Sequence, residues 1–501
     1  MRSNRLLYNF VAHLFLEVVT VISGLILPRM ILSAFGSDYN GLITSITQFL
    51  SLVTLLRGGV GGVTRAALFK PLASNDTEAV SAIMNATQDF MRKIAIVFAG
   101  GLVCFACVFP LIVRSSFDWM FTFSMVIIIG IGTFIQYYFS ISYQMLLIAD
   151  QQQYVISIIQ SVSTILNVLV AAVLIHAGFG IRTVKLGCTI VYCINPMAIV
   201  LYIKHHYYLD ESVEPNKAAL GQRWDAFAHQ LASYVQENTD VIVLTFFSTI
   251  KEVSVYSVYF MISNGVKMLV SSLTAGIESA FGNMIAENDY DSLRRNMERT
   301  EFVVFAAATV VYGCLIVLVL PFVRIYTKDI VDVNYLRPVF AYILAIAQLM
   351  NCVRTPSLNV IQASGHFKQT RNGAIVEAVI NVVVSVVCVI IFGLTGVAIG
   401  TLVSASFRTL QLSHYASCNI LHRNPLVFYK RMMACMIELM LICATFWKLV
   451  NTEINGYFLW TIYALLAAGI SCSVTLLGAV IVDRKILIDC IAKVWSIIMR
   501  K

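Results

Sequence analysis

Apolar stretches of roughly twenty residues recur along this chain from Leu6 to Val482, and this recurrence decides the fold class. A membrane-crossing helix needs about 20 mostly apolar residues, because each adds about 1.5 Å towards a hydrocarbon core about 30 Å thick. No water is present there to bond backbone N–H and C=O groups, so a crossing segment must be a helix or belong to a closed barrel. Barrel strands would read as shorter segments of alternating polarity. These runs are long and continuous, which selects helices. The candidate spans are 7–33, 40–62, 91–113, 119–147, 154–178, 183–204, 226–249, 254–284, 301–323, 338–361, 372–393, 395–416, 429–450 and 456–482. Composition agrees: 59% of the 501 residues are hydrophobic and 12% charged, against about 25% charged in soluble domains. The expectation is an all-α integral membrane protein of about 14 transmembrane helices.

The longest hydrophilic segments, around 63–90, 205–225 and 285–300, are too short for a soluble domain. The net charge of +8 reads as loop charge rather than a nucleic-acid surface, because no long basic run interleaves with aromatics. Placing the N-terminus in the cytoplasm puts most Lys and Arg on the inner side, including Arg294, Arg295 and Arg299 and the group Arg423, Lys430 and Arg431. Both termini are therefore expected in the cytoplasm. The run from Leu6 is read as a spanning helix and not a cleavable signal. In the last stretch Leu487, Cys490, Ile491, Val494 and Ile498 share a helical face, which predicts an amphipathic helix over 483–501 on the cytoplasmic membrane surface. The twelve cysteines lie mostly in apolar runs, and the lone CxxC of Cys104 and Cys107 has no histidine or second pair beside it. Neither metal nor cofactor is expected.

Two groups of six spans are related in sequence. Leu72-Ala73-Ser74-Asn75-Asp76 recurs as Ile285-Ala286-Glu287-Asn288-Asp289, Ala149 as Ala363, Asn167 as Asn381, and Leu186-Gly187 as Ile399-Gly400. The offset between partners stays constant to within a single position throughout. An even number of spans makes the repeats parallel, with substrate expected between them near the midplane. The predicted organisation is an N-terminal six-helix bundle (1–205), a cytoplasmic linker (206–224), a second six-helix bundle (225–420), two added spans (421–482) and the tail helix (483–501).

An ionisable residue inside a span costs about 2.5–3.5 kcal/mol on insertion scales, so it normally faces a cavity or a partner. In span 1, Asn9, His13, Thr20 and Ser23 share a face with Glu17 at its edge; in span 7, His229, Ser233, Gln236 and Asp240 do so. Such stripes serve either a wet cavity or helix–helix hydrogen bonding. Five cations lie in spans: Arg29, Arg57, Lys267, Arg354 and Arg408. Gln48 belongs to a polar arc in span 2 flanked by Arg57. The topology puts Arg57, Arg354 and Arg408 in the cytoplasmic half and Lys267 near the middle. Many cations with few anions point to an anionic ligand, since guanidinium groups match phosphate oxygens. The competing reading pairs them with Glu17, Asp240, Glu278 or Glu377, with Arg29 and Arg408 snorkelling to the interfaces. The expected substrate contacts are Arg57, Lys267, Arg354, Gln48, His13, His229, Gln236 and Asp240. Glu17, Asp240, Glu278 and Glu377 are candidates for coupling to a proton or sodium ion, and His13 joins them. A hinge is expected at Gly58–Gly62, with kinks at Pro28, Pro110, Pro321 and Pro356.

Several stretches carry a family resemblance: residues 36–42 (GSDYNGL), 48–52 (QFLSL), 58–67 (GGVGGVTRAA), 237–245 (ENTDVIVLT) and 253–256 (VSVY). With the six-plus-six repeat they resemble Wzx-type oligosaccharide flippases of the multidrug/oligosaccharidyl-lipid/polysaccharide (MOP) exporter superfamily. The resemblance implies a bundle architecture like that of multidrug antiporters and lipid II flippases, working by a rocker switch. It implies an undecaprenyl-pyrophosphate-linked oligosaccharide for surface polysaccharide, O-antigen or capsule, moved across a bacterial inner membrane. Polysaccharide polymerase and chain-length proteins are the partners it suggests. A multidrug antiporter would present acidic cavity groups to organic cations, and lipid II flipping is a variant of the same mechanism. A membrane glycosyltransferase or polymerase would need a large extramembrane loop, which this chain lacks, so no enzymatic activity is expected.

Overall fold

The structure, a computed structural model, describes residues 2–51, 54–113, 117–216, 238–274, 277–450 and 454–498. Among the described residues all regular secondary structure is helical. The chain divides into two compact units, residues 1–254 and 255–501.

In the first unit, α1 (Arg2–Phe35) packs against α7 (Gln153–His176), and α8 (Ile181–His206) packs against both α7 and α5 (Trp119–Phe139). Helix α2 (Ser37–Leu50) is followed by α3 (Thr54–Ala73), which lies against the long α4 (Thr77–Ile112) and the short α6 (Ile141–Ala149). Helix α9 (Asn238–Phe247) leads into α10 (Ile250–Ser272), whose first residues still belong to this unit.

The second unit continues with α11 (Ile277–Ala286) and α12 (Tyr290–Tyr326), then α13 (Pro338–Val353), α14 (Thr355–Ala363), α15 (Phe367–Phe392) and α16 (Leu394–Asn419). Helices α17 (Leu426–Leu449) and α18 (Tyr457–Val482) form an antiparallel pair on α12, and α19 (Arg484–Ile498) ends the chain. Small residues let α15 and α16 approach closely: a Cβ on Gly396 or Gly400 would collide with the backbone of Cys388 or Ser385.

Eleven described helices are long and apolar enough to cross a membrane. Three expected spans fall outside that set. Span 2 is described as α2 and α3, with residues 52–53 outside the described residues. Span 7 lies mostly outside the described residues, leaving α9. Span 12 is α16, 26 residues long but rich in Ser and Thr and carrying Arg408, with its polar side chains buried in the unit. Spans 3 and 9 begin earlier than hydropathy indicated, because polar first turns extend α4 and α12 to 36 and 37 residues. At about 1.5 Å per residue α12 is about 55 Å long, well beyond the hydrocarbon core.

The backbone reproduces the repeat. Asn75 and Asn288 both adopt positive φ, 53° and 57°, and each precedes an aspartate N-cap. The Asp76 carboxylate accepts from Ala79 N (2.9 Å), and that of Asp289 from Ser292 N (3.0 Å). Gln151 and Gly365, related by the same offset, likewise share positive φ. Span 4 breaks at Ser140 and span 10 at Arg354, again repeat partners. Pro356 explains the second break, because its ring excludes the carbonyl of the residue four before it. At Ser140 the hydroxyl turns back to Gln136 O (3.3 Å).

The expected hinge at Gly58–Gly62 lies within α3, which runs through those glycines. Ser51 follows α2, its hydroxyl donating to Gln48 O (2.6 Å). Pro28, Pro110 and Pro321 remain inside continuous helices.

A polar seam joins α2 to α9 and α10. Asn40 donates to Ser254 (2.9 Å), Ser45 bonds Thr245 (2.9 Å), Gln48 donates to Asn238, and Asp38 pairs with Lys251 (3.5 Å). Gly41 sits in this seam, where a Cβ would collide with the Ile250 carbonyl. Gly41→Ala should therefore lower stability by about 1–3 kcal/mol, whereas Gly24→Ala, with open space around it, should be neutral or stabilising. Thermal unfolding in detergent checks the contrast. At the α12 cap, hydrogen bonds from Ser292 hold the Asp289 carboxyl below the usual aspartate range. The stabilisation it gives is present at neutral pH and lost as pH falls through that depressed value. The stability difference between the parent and Asp289→Ala should vanish over the same acid range.

Candidate functional site

The densest in-span charge among the described residues lies in the second unit, at the broken helix α13–α14. Arg354 occupies the break itself, as the last cap of α13 and the first of α14. Its Nη1 bonds Oε1 of Glu377 on α15 at 2.6 Å. The other carboxylate oxygen, Oε2, lies 3.3 Å from Nε of Arg408 on α16. Arg408 Nη1 also donates to Thr370 O (3.1 Å) and Gln411 Oε1 (2.5 Å). Gly373 leaves the room this guanidinium occupies, since a Cβ there would strike both Arg408 and Gln411. All three charged side chains are nearly buried, with 12%, 4% and 9% exposure for Arg354, Glu377 and Arg408.

Lys267, half-buried on α10, acts electrostatically on the Cys352 thiol, as does Arg354. Cys352 bonds the hydroxyl of Tyr312 on α12 (3.3 Å). Arg354 and Arg408 thus share one carboxylate, leaving a local excess of one positive charge among these three groups. Around the break, Gln348 Oε1, Asn351 Oδ1 and Ser357 Oγ are buried without a hydrogen-bond partner. Ser357 is 1% exposed. Buried polar atoms are normally satisfied, so these are places where a ligand or water has partners waiting.

The other sequence-predicted residues are distributed as follows. His13 and Glu17 pair along α1 at 3.6 Å, partly exposed. Gln48 is taken into the α2–α9 seam through Asn238, and Asp240 is buried on α9. Glu278 is exposed in the first turn of α11. The Arg57 side chain, His229 and Gln236 lie outside the described residues. Arg408 departs from expectation: it does not snorkel to an interface but is buried and held by Glu377, a nearer and drier partner than headgroups. Asn9, from the span 1 stripe, serves packing, donating to Gln151 O (2.9 Å) and accepting from Tyr154 N (2.8 Å).

The MatE family model matches residues 226–387, which include Lys267, Arg354 and Glu377 but not Arg408. A structure titled as the lipid II flippase MurJ in an inward closed conformation superposes with a TM-score of 0.72 at 14% identity, covering 96% of this chain and 99% of that one. An inward-facing multidrug resistance MATE transporter of the MOP superfamily gives 0.60 at 15% identity, covering 81% of this chain and 98% of that one. A MOP superfamily transporter from Pyrococcus furiosus, described as having a binding pocket of reversed polarity, gives 0.55 at 12% identity, covering 82% and 96%. No curated protein matches the chain in sequence. The family model spans less than half of the chain, and what the chain shares with these structures is the fold.

The internal repeat shows that the charges at this break are one-sided. Carried back by the offset that pairs Ala363 with Ala149, Arg354 corresponds to Ser140, Glu377 to Ser163 and Arg408 to Ile194. The first unit therefore has a neutral counterpart of the centre at the same break. Sequence reading offered Glu377 as one of four possible carboxylate partners for the in-span cations but favoured a ligand for Arg354; the structure pairs Arg354 with Glu377. It also passed over Glu301 and Glu438. Glu301, fully buried on α12, bonds Arg423 and Arg431, the latter at 3.0 Å, and Arg431 makes a two-pronged pair with Asp483 (2.9 and 3.1 Å). The charge run in the loop after α16 was its only sequence signal.

Removing one partner of a buried ion pair costs about 3–5 kcal/mol, because the remaining charge is left without compensation. Glu377→Gln leaves two facing guanidinium groups and should lower unfolding stability by that order. Added pyrophosphate should restore part of the loss in this variant and not in a Glu301→Gln control, as followed by thermal unfolding.

Proposed function

We propose that this chain is a MOP-superfamily flippase for a lipid-linked oligosaccharide whose headgroup is a pyrophosphate, the undecaprenyl-pyrophosphate class used in bacterial surface polysaccharide assembly. The observation that carries the reading is the charged centre at the α13–α14 break, where Arg354 and Arg408 face the single carboxylate of Glu377 and buried polar atoms stand unpartnered. Pyrophosphate offers a dense array of anionic acceptors, and guanidinium groups meet such oxygens with two parallel hydrogen bonds. In this reading Arg354 exchanges Glu377 for a phosphate oxygen while Arg408 keeps the carboxylate. Arg57 joins from span 2, and His13, His229, Gln48, Gln236 and Asp240 contact the sugar. The lipid tail stays in the bilayer, and no bond is made or broken. Only a headgroup bound more tightly in one state than the other moves the equilibrium between them. The inner membrane, with both termini in the cytoplasm, is the location that fits a precursor made on the cytoplasmic face.

The MatE match over residues 226–387 favours a second reading, ion-coupled export of organic cations. A cationic centre repels such a cargo, which is why the lipid pyrophosphate takes precedence. A lipid II headgroup carries the same pyrophosphate and belongs to the same mechanism.

Reconstituted vesicles supplied with undecaprenyl-pyrophosphate oligosaccharides give the test. Replacing Lys267 and Arg354 together by Gln should slow headgroup appearance in the opposite leaflet by roughly thirty-fold, corresponding to about 2 kcal/mol for a lost charged contact. Unchanged flipping removes the anion reading. Drug export that survives in the same variant, without any lipid-linked sugar, moves the assignment to the multidrug class.

A further inference from the structure

Helices α17 and α18, which lie outside the internal repeat, hold an acid the substrate reading does not use. Glu438 is twelve residues into the 24-residue α17, near its middle. The described residues place no Lys, Arg or His within ion-pair distance of it. Its carboxylate lies over Gly478 of α18, and a Cβ at that position would fall on Oε1, so the glycine makes the niche that the acid fills. Beside it is a cavity of about 30 Å³ between α12, α17 and α18, lined by Thr309, Cys435, Glu438, Thr475 and Gly478 and reaching Arg431 and Asp483. That volume accommodates one water molecule. Thr475, only 7% exposed, lines the same cavity, and its Oγ1 is buried with no hydrogen-bond partner.

The charged neighbours do not neutralise Glu438. From α17, Arg431 borders the cavity but is already engaged by Glu301 of α12 and Asp483 at the end of α18. Arg423 is engaged by the same Glu301. The Thr309 hydroxyl of α12 is occupied with Phe305 O (2.8 Å) and Cys435 Sγ (3.1 Å). Asp483 adds a like charge. An isolated carboxylate at this depth is too costly to persist, and the inexpensive alternative is to take up a proton.

We propose that Glu438 is a proton-binding site, its carboxyl group protonated in the folded protein and linked through the cavity to Thr475. Release breaks the carboxyl O–H bond and passes the proton to a water in the cavity, leaving a carboxylate that faces Asp483. The ionised form no longer fits a niche against Gly478, so proton release loosens α17 and α18 from α12. The site stands independently of the headgroup reading, since none of its groups belongs to the cationic centre.

Infrared difference spectroscopy on the intact protein in liposomes tests this. At neutral pH the parent spectrum should contain a protonated-carboxyl band that Glu438→Gln removes, and Thr475→Val should shift its frequency without abolishing it. The parent should lose thermal stability as pH rises from the ordinary glutamate range, about 4.3, towards neutrality, and Glu438→Gln should flatten that slope. If Glu438→Gln does not fold, the Thr475→Val frequency shift alone decides, and an unshifted band overturns the proposal. A spectrum unchanged by Glu438→Gln also overturns it. So does a melting temperature raised by sodium in the parent and not in the variant, because the site then holds a metal cation on an ionised carboxylate.

Discussion

Charge inside hydrocarbon has to be answered by charge or lost by protonation, and the second unit is organised around that requirement. Glu377 is answered by Arg354 and Arg408. Glu301 is answered by Arg423 and Arg431. Among the described residues Glu438 has no such partner, and it occupies a niche with a hydroxyl and room for water. Two carboxylates act as braces between helices, and the third is left to exchange with solvent. The cation count matters in the same way: two guanidinium groups share Glu377, so that centre keeps attraction for an anion.

A parallel duplication supplies the frame in which these charges differ. The caps, the positive-φ residues before them and the broken helices at Ser140 and Arg354 repeat with almost no drift. The backbone of the two units is therefore built to one plan, while the side chains at the break are neutral in the first and charged in the second. Discontinuous helices expose backbone groups that only a partner or a wet surface can satisfy. They recur where a membrane transporter handles polar cargo, which is the role assigned here to the charged copy.

The membrane made much of this legible in advance. A run of twenty apolar residues has few alternatives, so α1, α7, α8, α15, α17 and α18 fall close to their expected ranges. The repeated Asn-Asp pair was visible as part of the internal repeat, while its cap geometry came from the structure. The breaks were harder. Pro356 marks one, but at Ser140 the agent is a serine hydroxyl turning back on its own helix, which looks like any small polar residue in a span. Helices α4 and α12 exceeded their hydropathic limits because polar residues extend a capped helix without raising its apolarity. In the candidate site, residue type was readable and partnership was not. Which guanidinium meets Glu377 depends on how α13, α15 and α16 face one another, and only packing fixes that. Glu438 went unnoticed because a lone acid in a long apolar run acquires meaning only when Gly478 and Thr475 are seen across from it.

The Glu301 brace bears on how the added hairpin arose. Its repeat counterpart on α4, at the offset that pairs Asp289 with Asp76, is Gln88, an uncharged residue of similar shape. The half with no appended pair carries the amide, and the half that has one carries the acid, clasped by Arg431 of α17. Deleting residues 421–501 would therefore strand a naked carboxylate in the middle of α12 and would not recover a simpler ancestor. A viable twelve-helix version would have to restore the glutamine in the same step, so acid and appendage behave as a single inherited acquisition.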